Sequence, residues 1–385
     1  MADGQPAHAD SVLTNGSSDV QASDLSKQHD LLPKLIPHLD RHLVFPLLED
    51  QYKDDPQLSK LEYELLKETN MVDYISGLWS EINHSKHIPS ALLEKKSTVL
   101  RQLERYQEQS QKISDLLADE DVVKNLRSDK VANLNYLRDT HDVQPADVEV
   151  LYTFGRFQYD CGNYEQASEL LYQYRILSTD PALVSAATWG KLGADILTAK
   201  WDSALEEINR VKEAIDTKLF NNPLAQLTHR TWLSHWLLFP LFNDEAAREP
   251  LTDLLLSPAF INTIQTTCPY LLRYLACSII TSRSNQTDQP STARHGPTAS
   301  FHKQLKDLVR IVKQESYEFK DPITEFVRAL YIDFDFEEAQ KRLKESDEVC
   351  RGDFFLCNSA DLFIDSARHL ISESYCKIHS RINIA

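Results

Sequence analysis

The chain has 385 residues, of which 42% are hydrophobic and only 9 are glycine, and its formal net charge is −17. This length is enough for two or three domains or for one long repeat array, whereas the glycine count is too low for a turn-rich β protein or a glycine-lined phosphate site. The negative charge opposes nucleic acid except at a local basic patch.

The first residues have the composition of a tail and not that of a targeting signal. Residues 1–30 are rich in Ser, Asp, Gln and Ala and have few large apolar side chains, which predicts a disordered tail. They contain no apolar run of the kind that forms a signal peptide, and no segment of the chain approaches the roughly 18 apolar residues of a membrane span. We therefore expect a cytoplasmic protein that has no membrane partner.

An N-terminal helical region is predicted over residues 31–145. A leucine recurs at every fourth position in its first apolar stretch, namely at Leu35, Leu39, Leu43 and Leu47. This spacing is typical of a helix. Pro37 and Pro46 are expected to cut the stretch into short helices, because proline removes a backbone donor and clashes with the preceding turn.

A heptad-like seam follows later in the same region. It consists of apolar residues at four–three spacing: Val99, Leu103, Tyr106, Ile113 and Leu117. Such a seam needs a partner surface on which to pack. Two interpretations stay open at this point, because the residues could pack inside the helical bundle or could form a partner face for a helix of another protein.

Three short passages place an aromatic residue three positions before an alanine, directly after an apolar helical stretch. The pairs are Tyr164 and Ala167, Trp201 and Ala204, and Phe336 and Ala339. The pattern is typical of helix–turn–helix repeats, in which the aromatic ring wedges between two helices and the alanine allows their close approach. The first two pairs are 37 residues apart, within the range of helical solenoids. We therefore predict an all-α fold with tetratricopeptide-like repeats over 146–281, which is a scaffold with long surfaces for other proteins.

Two of these repeat helices carry a pattern that predicts a capping box at their start. Asn163 is followed three residues later by Gln166, and Asp335 is followed by Glu338. Between the two lies a segment, 282–302, that is rich in Ser, Thr, Asn, Gln and Pro. This composition predicts a flexible insertion, after which helices resume over 303–385.

The chain lacks the common sequence motifs of catalysis. It has no His-Glu-x-x-His, no Gly-x-x-x-x-Gly-Lys-Ser/Thr and no Gly-x-Gly-x-x-Gly. Its carboxylates are so abundant that a neighbouring pair carries no information. We therefore predict no catalytic residue, no cofactor and no metal ligand, and the chain is not expected to be an enzyme.

One charged pattern suggests a contact surface. Cations recur at three–four–three spacing in the predicted helix after the insertion: Lys303, Lys306, Arg310 and Lys313. At 100° per residue they span an arc of roughly 80°, opposite the apolar residues of the same segment. This basic face is either the solvated side of an amphipathic helix or a local contact to RNA phosphates or to an acidic partner.

Four passages resemble a known family, the e-subunit family of eukaryotic translation initiation factor 3, whose members are PCI-domain proteins. They are His38–Leu48, Phe157–Tyr164, Arg230–Trp236, and Gln314–Val327 running on into Asp333–Gln340. The resemblance covers about 31–280 and 303–384. It leaves out the first 30 residues and the 282–300 segment.

The resemblance implies a non-catalytic scaffold subunit of a multisubunit complex that binds the small ribosomal subunit and helps to recruit mRNA. It also implies a right-handed helical array that leads into the helical part of a PCI domain, so that the repeats at 146–281 run into PCI helices. The expected partners are the other subunits of the factor, the small ribosomal subunit, and mRNA or rRNA at local basic faces.

The chain departs from the family pattern at its end. It stops at Ala385, about where the winged helix of the family would begin, so the expectation is a PCI domain whose winged helix is absent. The proteasome lid and the COP9 signalosome contain scaffold subunits of the same architecture, and such a subunit is the alternative interpretation. The passages at 38–48 and 314–340 favour the initiation factor.

Overall fold

The computed structural model describes residues 24–53, 55–125, 129–217, 222–282 and 297–379. The described residues form α-helices joined by short turns, with three 3₁₀ turns and one π-helical segment and no β-strand. The predicted all-α fold is therefore confirmed. No helix in the described ranges is long and apolar enough to cross a membrane.

The chain divides into two compact units, which we call the first and the second unit. The first unit contains Leu39–Pro223, and the second contains the described residues up to His38 together with those from Leu224 onward. The predicted domain boundaries at residues 145, 281 and 302 do not follow from this division and stay predictions.

The first unit begins with helices that alternate with short connections. They are α3 (Arg41–Gln51), α4 (Leu58–Leu66), α5 (Val72–Ile82), α6 (Ser90–Ala118), α7 (Glu120–Asn125) and α8 (Lys130–His141). Pro46 was expected to end a helix, but α3 continues through it. It lies buried inside the helix, where burial of the neighbouring Leu43 and Leu47, both at most 1% exposed, offsets the one backbone hydrogen bond that proline cannot make.

The repeats occupy the rest of the first unit as two helix pairs. The four helices are α9 (Pro145–Asp160), α10 (Tyr164–Leu177), α11 (Pro181–Leu197) and α12 (Trp201–Asp216). Each packs on the next, as expected of helical repeats, which bury a core only by stacking. Pro145 and Pro181 stand at the first position of their helices, where proline loses no hydrogen bond.

The second unit consists of short N-terminal helices and a longer C-terminal set. The helices are α1 (Asp24–Gln28), α2 (Leu32–Leu35), α13 (Pro223–Trp236), α14 (Leu238–Asn243), α15 (Glu245–Leu256), α16 (Pro258–Thr267), α17 (Leu272–Ser282), α18 (Pro297–Glu315), α19 (Pro322–Arg328), α20 (Phe336–Arg351) and α21 (Ala360–Ile378). Every residue of α17 from Leu272 to Thr281 is buried. It is the central helix of this unit, surrounded by α15, α18, α19 and α21.

Two regions that were predicted to lack structure lie mostly outside the described residues. The last part of the predicted tail, 1–30, is described, and it forms α1, which packs on α20 where Gly352 leaves room for Ser26. The predicted insertion, 282–302, is described only at its two ends. Helix α18 begins at Pro297, because proline suits the first position of a helix. The prediction about a winged helix lies beyond His379, the last described residue.

Candidate interaction surfaces

The three aromatic–alanine passages form the same kind of turn. Tyr164, Trp201 and Phe336 are each the first residue of a helix, at α10, α12 and α20. Two residues before each aromatic stands a residue in the left-handed region, with φ of +87° at Gly162, +53° at Ala199 and +54° at Phe334. In each passage this left-handed residue ends the helical segment before the one that the aromatic residue begins.

Backbone hydrogen bonds close these turns in the Schellman pattern. In the first two turns the amide of the residue after the left-handed one donates to a carbonyl five residues earlier, from Asn163 to Gln158 and from Lys200 to Asp195, at 2.9 Å each. In the third, Asp335 donates to Ala329, six residues earlier, also at 2.9 Å. The extra residue fits the π-helical segment Ala329–Asp333, which precedes this turn and winds more residues into each hydrogen-bonded ring than an α-helix does.

The alanines of the three passages are fully buried and the aromatic rings are half-buried. Ala167, Ala204 and Ala339 each have 0% exposure, which agrees with close helix approach at these positions. The Phe336 ring lies edge-on to Tyr375 of α21 at a centroid distance of 5.3 Å. These contacts are what the repeat-packing interpretation requires of the residues.

The first predicted capping box does not form. The Asn163 side chain makes no cap bond; its amide donates to Gln158 Oε1 at 2.8 Å, and the Gln158 amide in turn donates to Gln166 at 2.7 Å. Gln158 is 1% exposed, so its buried amide needs these partners more than the solvated helix start does. The two predicted capping residues therefore satisfy Gln158 instead.

The second predicted box is only half present. Asp335 accepts hydrogen bonds from the amides of Glu337 and Glu338, at 3.1 and 3.0 Å. The Glu338 carboxylate does not return to the start of the helix but pairs with Arg342 at 2.7 Å. A cation one turn along the helix competes with the backbone amide for the same carboxylate, and the amide of Asp335 is already bonded to Ala329.

Tyr164 joins the N-terminal helices of the first unit to the repeats. Its hydroxyl lies 3.0 Å from Nδ1 of His42 in α3, and its ring contacts the ring of Tyr159 edge-on at 5.5 Å. The Tyr159 hydroxyl donates to Asp40 at 3.0 Å, and Asp40 also caps α3. Burial raises the pKa of both tyrosines and lowers that of His42. The two tyrosines and His42 are therefore uncharged in this network at neutral pH.

The predicted partner face on α6 packs against the chain itself. Tyr106 stacks on Phe154 of α9 at a centroid distance of 5.8 Å and lies 5.3 Å from the Phe157 ring. Ile113 is 1% exposed. The other members of the face, Val99, Leu103 and Leu117, are partly buried against the same core. The structure thus places this face inside the first unit, and docking of another protein on it stays a prediction.

The predicted basic face lies on the outer side of α18. Lys303, Lys306, Arg310 and Lys313 are all exposed, whereas the apolar residues Leu305, Leu308, Ile311 and Val312 are buried on the opposite side. Arg310 pairs with Asp307 of the same helix at 3.3 Å. Within the described ranges the three lysines have no carboxylate at ion-pair distance, so most of the positive charge of this face is uncompensated by neighbouring side chains.

A buried ionic cluster between the repeat helices was not predicted. Lys191 of α11 pairs with Asp195 at 2.5 Å and reaches Glu207 of α12 at 3.6 Å, and Arg175 of α10 also pairs with Glu207. Lys191, Asp195 and Glu207 are each at most 7% exposed. Buried charges are tolerated only when they are paired in this way, so the cluster fixes how the three helices meet.

The ionic cluster forms the floor of a polar cleft of about 270 Å³ whose rim carries Tyr172, Lys200 and Glu206. The charges on its floor are satisfied by one another, and Ser168 and Ser203 donate to Asp195 at 2.6 and 2.7 Å. Within the part of the chain that the structure describes, no three side chains of His, Cys, Asp or Glu come together as a metal site would require.

Comparison with known proteins finds the same family along the whole chain. Residues 30–158 match the family model described as eIF3 subunit 6 N terminal domain. The chain is 56% identical over 386 residues to the E subunit of eukaryotic translation initiation factor 3 of Emericella nidulans, covering 100% of the chain and 84% of the relative. The E subunits of Aspergillus oryzae and Sclerotinia sclerotiorum are equally similar, at 56% identity over 388 and 390 residues, with the same coverage.

These relatives decide between the two scaffold families that the residue patterns left open. They support the initiation factor and not the proteasome lid or the COP9 signalosome. The chain is 56% identical to these E subunits along its full length. It therefore belongs to the E-subunit family of eukaryotic translation initiation factor 3.

Proposed function

We propose that this chain is a non-catalytic scaffold subunit of the translation initiation factor 3 complex, and that it acts in the cytoplasm in small-ribosomal-subunit binding and mRNA recruitment. The observation that carries the proposal is the 56% identity over the whole chain to relatives named as the E subunit of that factor. The helical repeats support it, because stacked helix pairs leave long surfaces on which other proteins can bind.

The other subunits of the factor are the proposed protein partners. The test is affinity purification of the tagged chain from cells in which it replaces the native subunit, followed by identification of the proteins that co-purify. We expect the other subunits of factor 3 together with proteins of the small ribosomal subunit. Recovery of proteasome or COP9 signalosome subunits in their place would contradict the proposal.

The basic face of α18 is the proposed contact to mRNA or rRNA. Its exposed cations are the supporting observation, because a chain with a net charge of −17 repels a polyanion elsewhere and needs a local cluster of cations to bind one. An acidic protein segment would be attracted by the same charges.

Charge reversal tests whether the basic face binds a ligand or is only the solvated side of the helix. The variant combines Lys306→Glu with Arg310→Glu, and its control combines Arg101→Glu with Arg105→Glu, two exposed cations of α6 with the same change in charge. We expect the first variant, and not the control, to lose binding to RNA or to small ribosomal particles. Equal binding by all three proteins would refute the proposed contact.

A further inference from the structure

The spacing of the basic face continues past the end of α18 to an aromatic residue. Tyr317 lies four positions after Lys313, in the turn that follows the helix. The amides of Glu318 and Phe319 both donate to the carbonyl of Glu315, at 3.0 and 3.1 Å, so the backbone keeps its helical sense through this turn. At 100° per residue, Tyr317 therefore falls within the same arc of roughly 80° that the cations occupy.

The Tyr317 side chain has no packing role within the described part of the chain. It is 94% exposed, which is more than any other large hydrophobic side chain that the structure describes. Aromatic side chains normally bury a large area, and tyrosine usually covers its ring and leaves the hydroxyl wet. A ring that stands in solvent at the end of a row of cations is free to stack on a planar group.

Two more cations lie near this end of the basic face, one close in sequence and one close to the Phe319 ring. Lys320 follows Tyr317 by three residues and is exposed. Lys34 of α2 has its ammonium 6.0 Å from the centre of the Phe319 ring. From Lys303 to Tyr317 the helical rise amounts to about 21 Å, so the cations and the ring together form an extended track and not a single ion-binding point.

We propose that the basic face and Tyr317 together form a site for single-stranded RNA. The cations bind successive backbone phosphates, and one unpaired base stacks on the Tyr317 ring. The proposal rests on the RNA contact put forward above and specifies its ligand. A positively charged track with an aromatic platform suits single strands, whose bases are free to stack, whereas the bases of a duplex are already stacked on each other and an acidic peptide has no need of an aromatic ring.

The test uses the full chain and a fluorescein-labelled 12-nucleotide oligouridylate, with binding followed by fluorescence anisotropy over a series of salt concentrations. Tyr317→Ala removes the stacking platform and leaves every cation in place. We expect it to weaken binding by about 5- to 150-fold, the range measured for loss of one stacked base, without changing the salt dependence. Tyr317→Phe keeps the ring and is expected to bind as the unchanged chain does.

Controls identify the ligand and the kind of contact. Tyr172→Ala removes a ring of the first unit that is 42% exposed, and it is expected to have no effect. Lys306→Gln with Arg310→Gln is expected to reduce the salt slope by about 1.4, or about 0.7 for each phosphate of a single strand that is no longer neutralised. An RNA duplex of the same length should bind more weakly than the single strand and should be insensitive to Tyr317→Ala.

Three results would overturn the inference. Tyr317→Ala could bind the oligouridylate as tightly as the unchanged chain does, or Tyr317→Phe could lose as much affinity as Tyr317→Ala. The third is that Tyr317→Ala weakens binding of the duplex and of inorganic polyphosphate as much as it weakens binding of the oligouridylate. If the unchanged chain does not bind the oligouridylate at all, the proposed RNA contact fails as well. The scaffold function is judged separately, because co-purification of factor 3 subunits with Tyr317→Ala is expected to stay complete.

Discussion

Leu171 of α10 is held between two glycines from the neighbouring helices, and adding a methyl group to either should press on it. A Cβ at Gly155 of α9 would lie 3.0 Å from both Cγ and Cδ2 of Leu171, and a Cβ at Gly190 of α11 would lie 2.9 Å from its Cδ1. Leu171 itself is 1% exposed. The perturbation is therefore Gly155→Ala, Gly190→Ala and the double variant.

The expected sizes follow from two opposing effects. Alanine in place of glycine inside a helix gains about 1 kcal/mol, whereas overpacking of a core costs about 1–3 kcal/mol. At Gly190 the clash involves only the end of the leucine side chain, which can turn aside, so we expect almost no net change. At Gly155 the clash reaches Cγ, so we expect a net loss of about 1 kcal/mol in the free energy of unfolding.

The double variant should lose more stability than the sum of the two single variants. A shift of Leu171 away from one new methyl group brings it closer to the other glycine, so replacing both glycines should prevent this relief. We expect a coupling energy of about 0.5–3 kcal/mol, as found for residues that share one contact. In a background of Leu171→Ala, which removes the shared contact, the coupling should disappear.

Native-state hydrogen exchange of the α10 amides is the suitable assay, because a chain of two compact units need not unfold in one step. Gly77→Ala in α5 is the matched control: its new Cβ would have no atom within 4 Å, so it should add up to about 1 kcal/mol to the stability of the first unit. The reasoning is refuted if Gly155→Ala stabilises as much as this control does, or if the two effects simply add.

Three further predictions concern single residues. Ala199→Gly should stabilise the first unit by about 0.5–1 kcal/mol in native-state hydrogen exchange, because alanine is strained at a φ of +53°; unchanged exchange rates would contradict this. Arg273→Met should cost about 3–5 kcal/mol in the same assay, because it leaves Asp321, its partner at 2.7 Å, buried without a counter-charge; a loss below about 1 kcal/mol would be too small for this reasoning. Burial lowers the pKa of His235 to about 3, so as the pH falls below about 6.5 the unfolded state takes up a proton that the folded state does not. The free energy of unfolding of the second unit should therefore fall by about 2 kcal/mol between pH 7 and pH 5, and the same pH dependence in a His235→Gln variant would be evidence against this.

The repeat turns were predictable because their signals are local. An aromatic residue and an alanine three positions apart mark each second helix, and Gly162 is a typical residue for the left-handed end of a helix. The same conformation at Ala199 and Phe334 carries no such signal, since neither residue type favours it. The π-helical segment inserts an extra residue before Phe334. This could not be predicted either, because the aromatic residue and the alanine are three positions apart in all three passages.

Features that depend on packing between helices escaped the prediction. Lys191 and Asp195 are four residues apart, a spacing that on its own indicates an exposed helical pair; only the neighbouring α10 and α12 bury them. Asn163 had the right type and position for a cap, but buried Gln158 binds its side chain. The alternation of threes and fours in the basic face did extend to Tyr317, and it could have been found by following the spacing past Lys313.

The most direct test of the central claim is sedimentation of the tagged chain from cell extract on a sucrose gradient. A scaffold subunit of initiation factor 3 is predicted to sediment with the other subunits of the factor and with the small ribosomal subunit. If the chain stays at the top of the gradient while the remaining factor 3 subunits sediment with small ribosomal subunits without it, the account is contradicted.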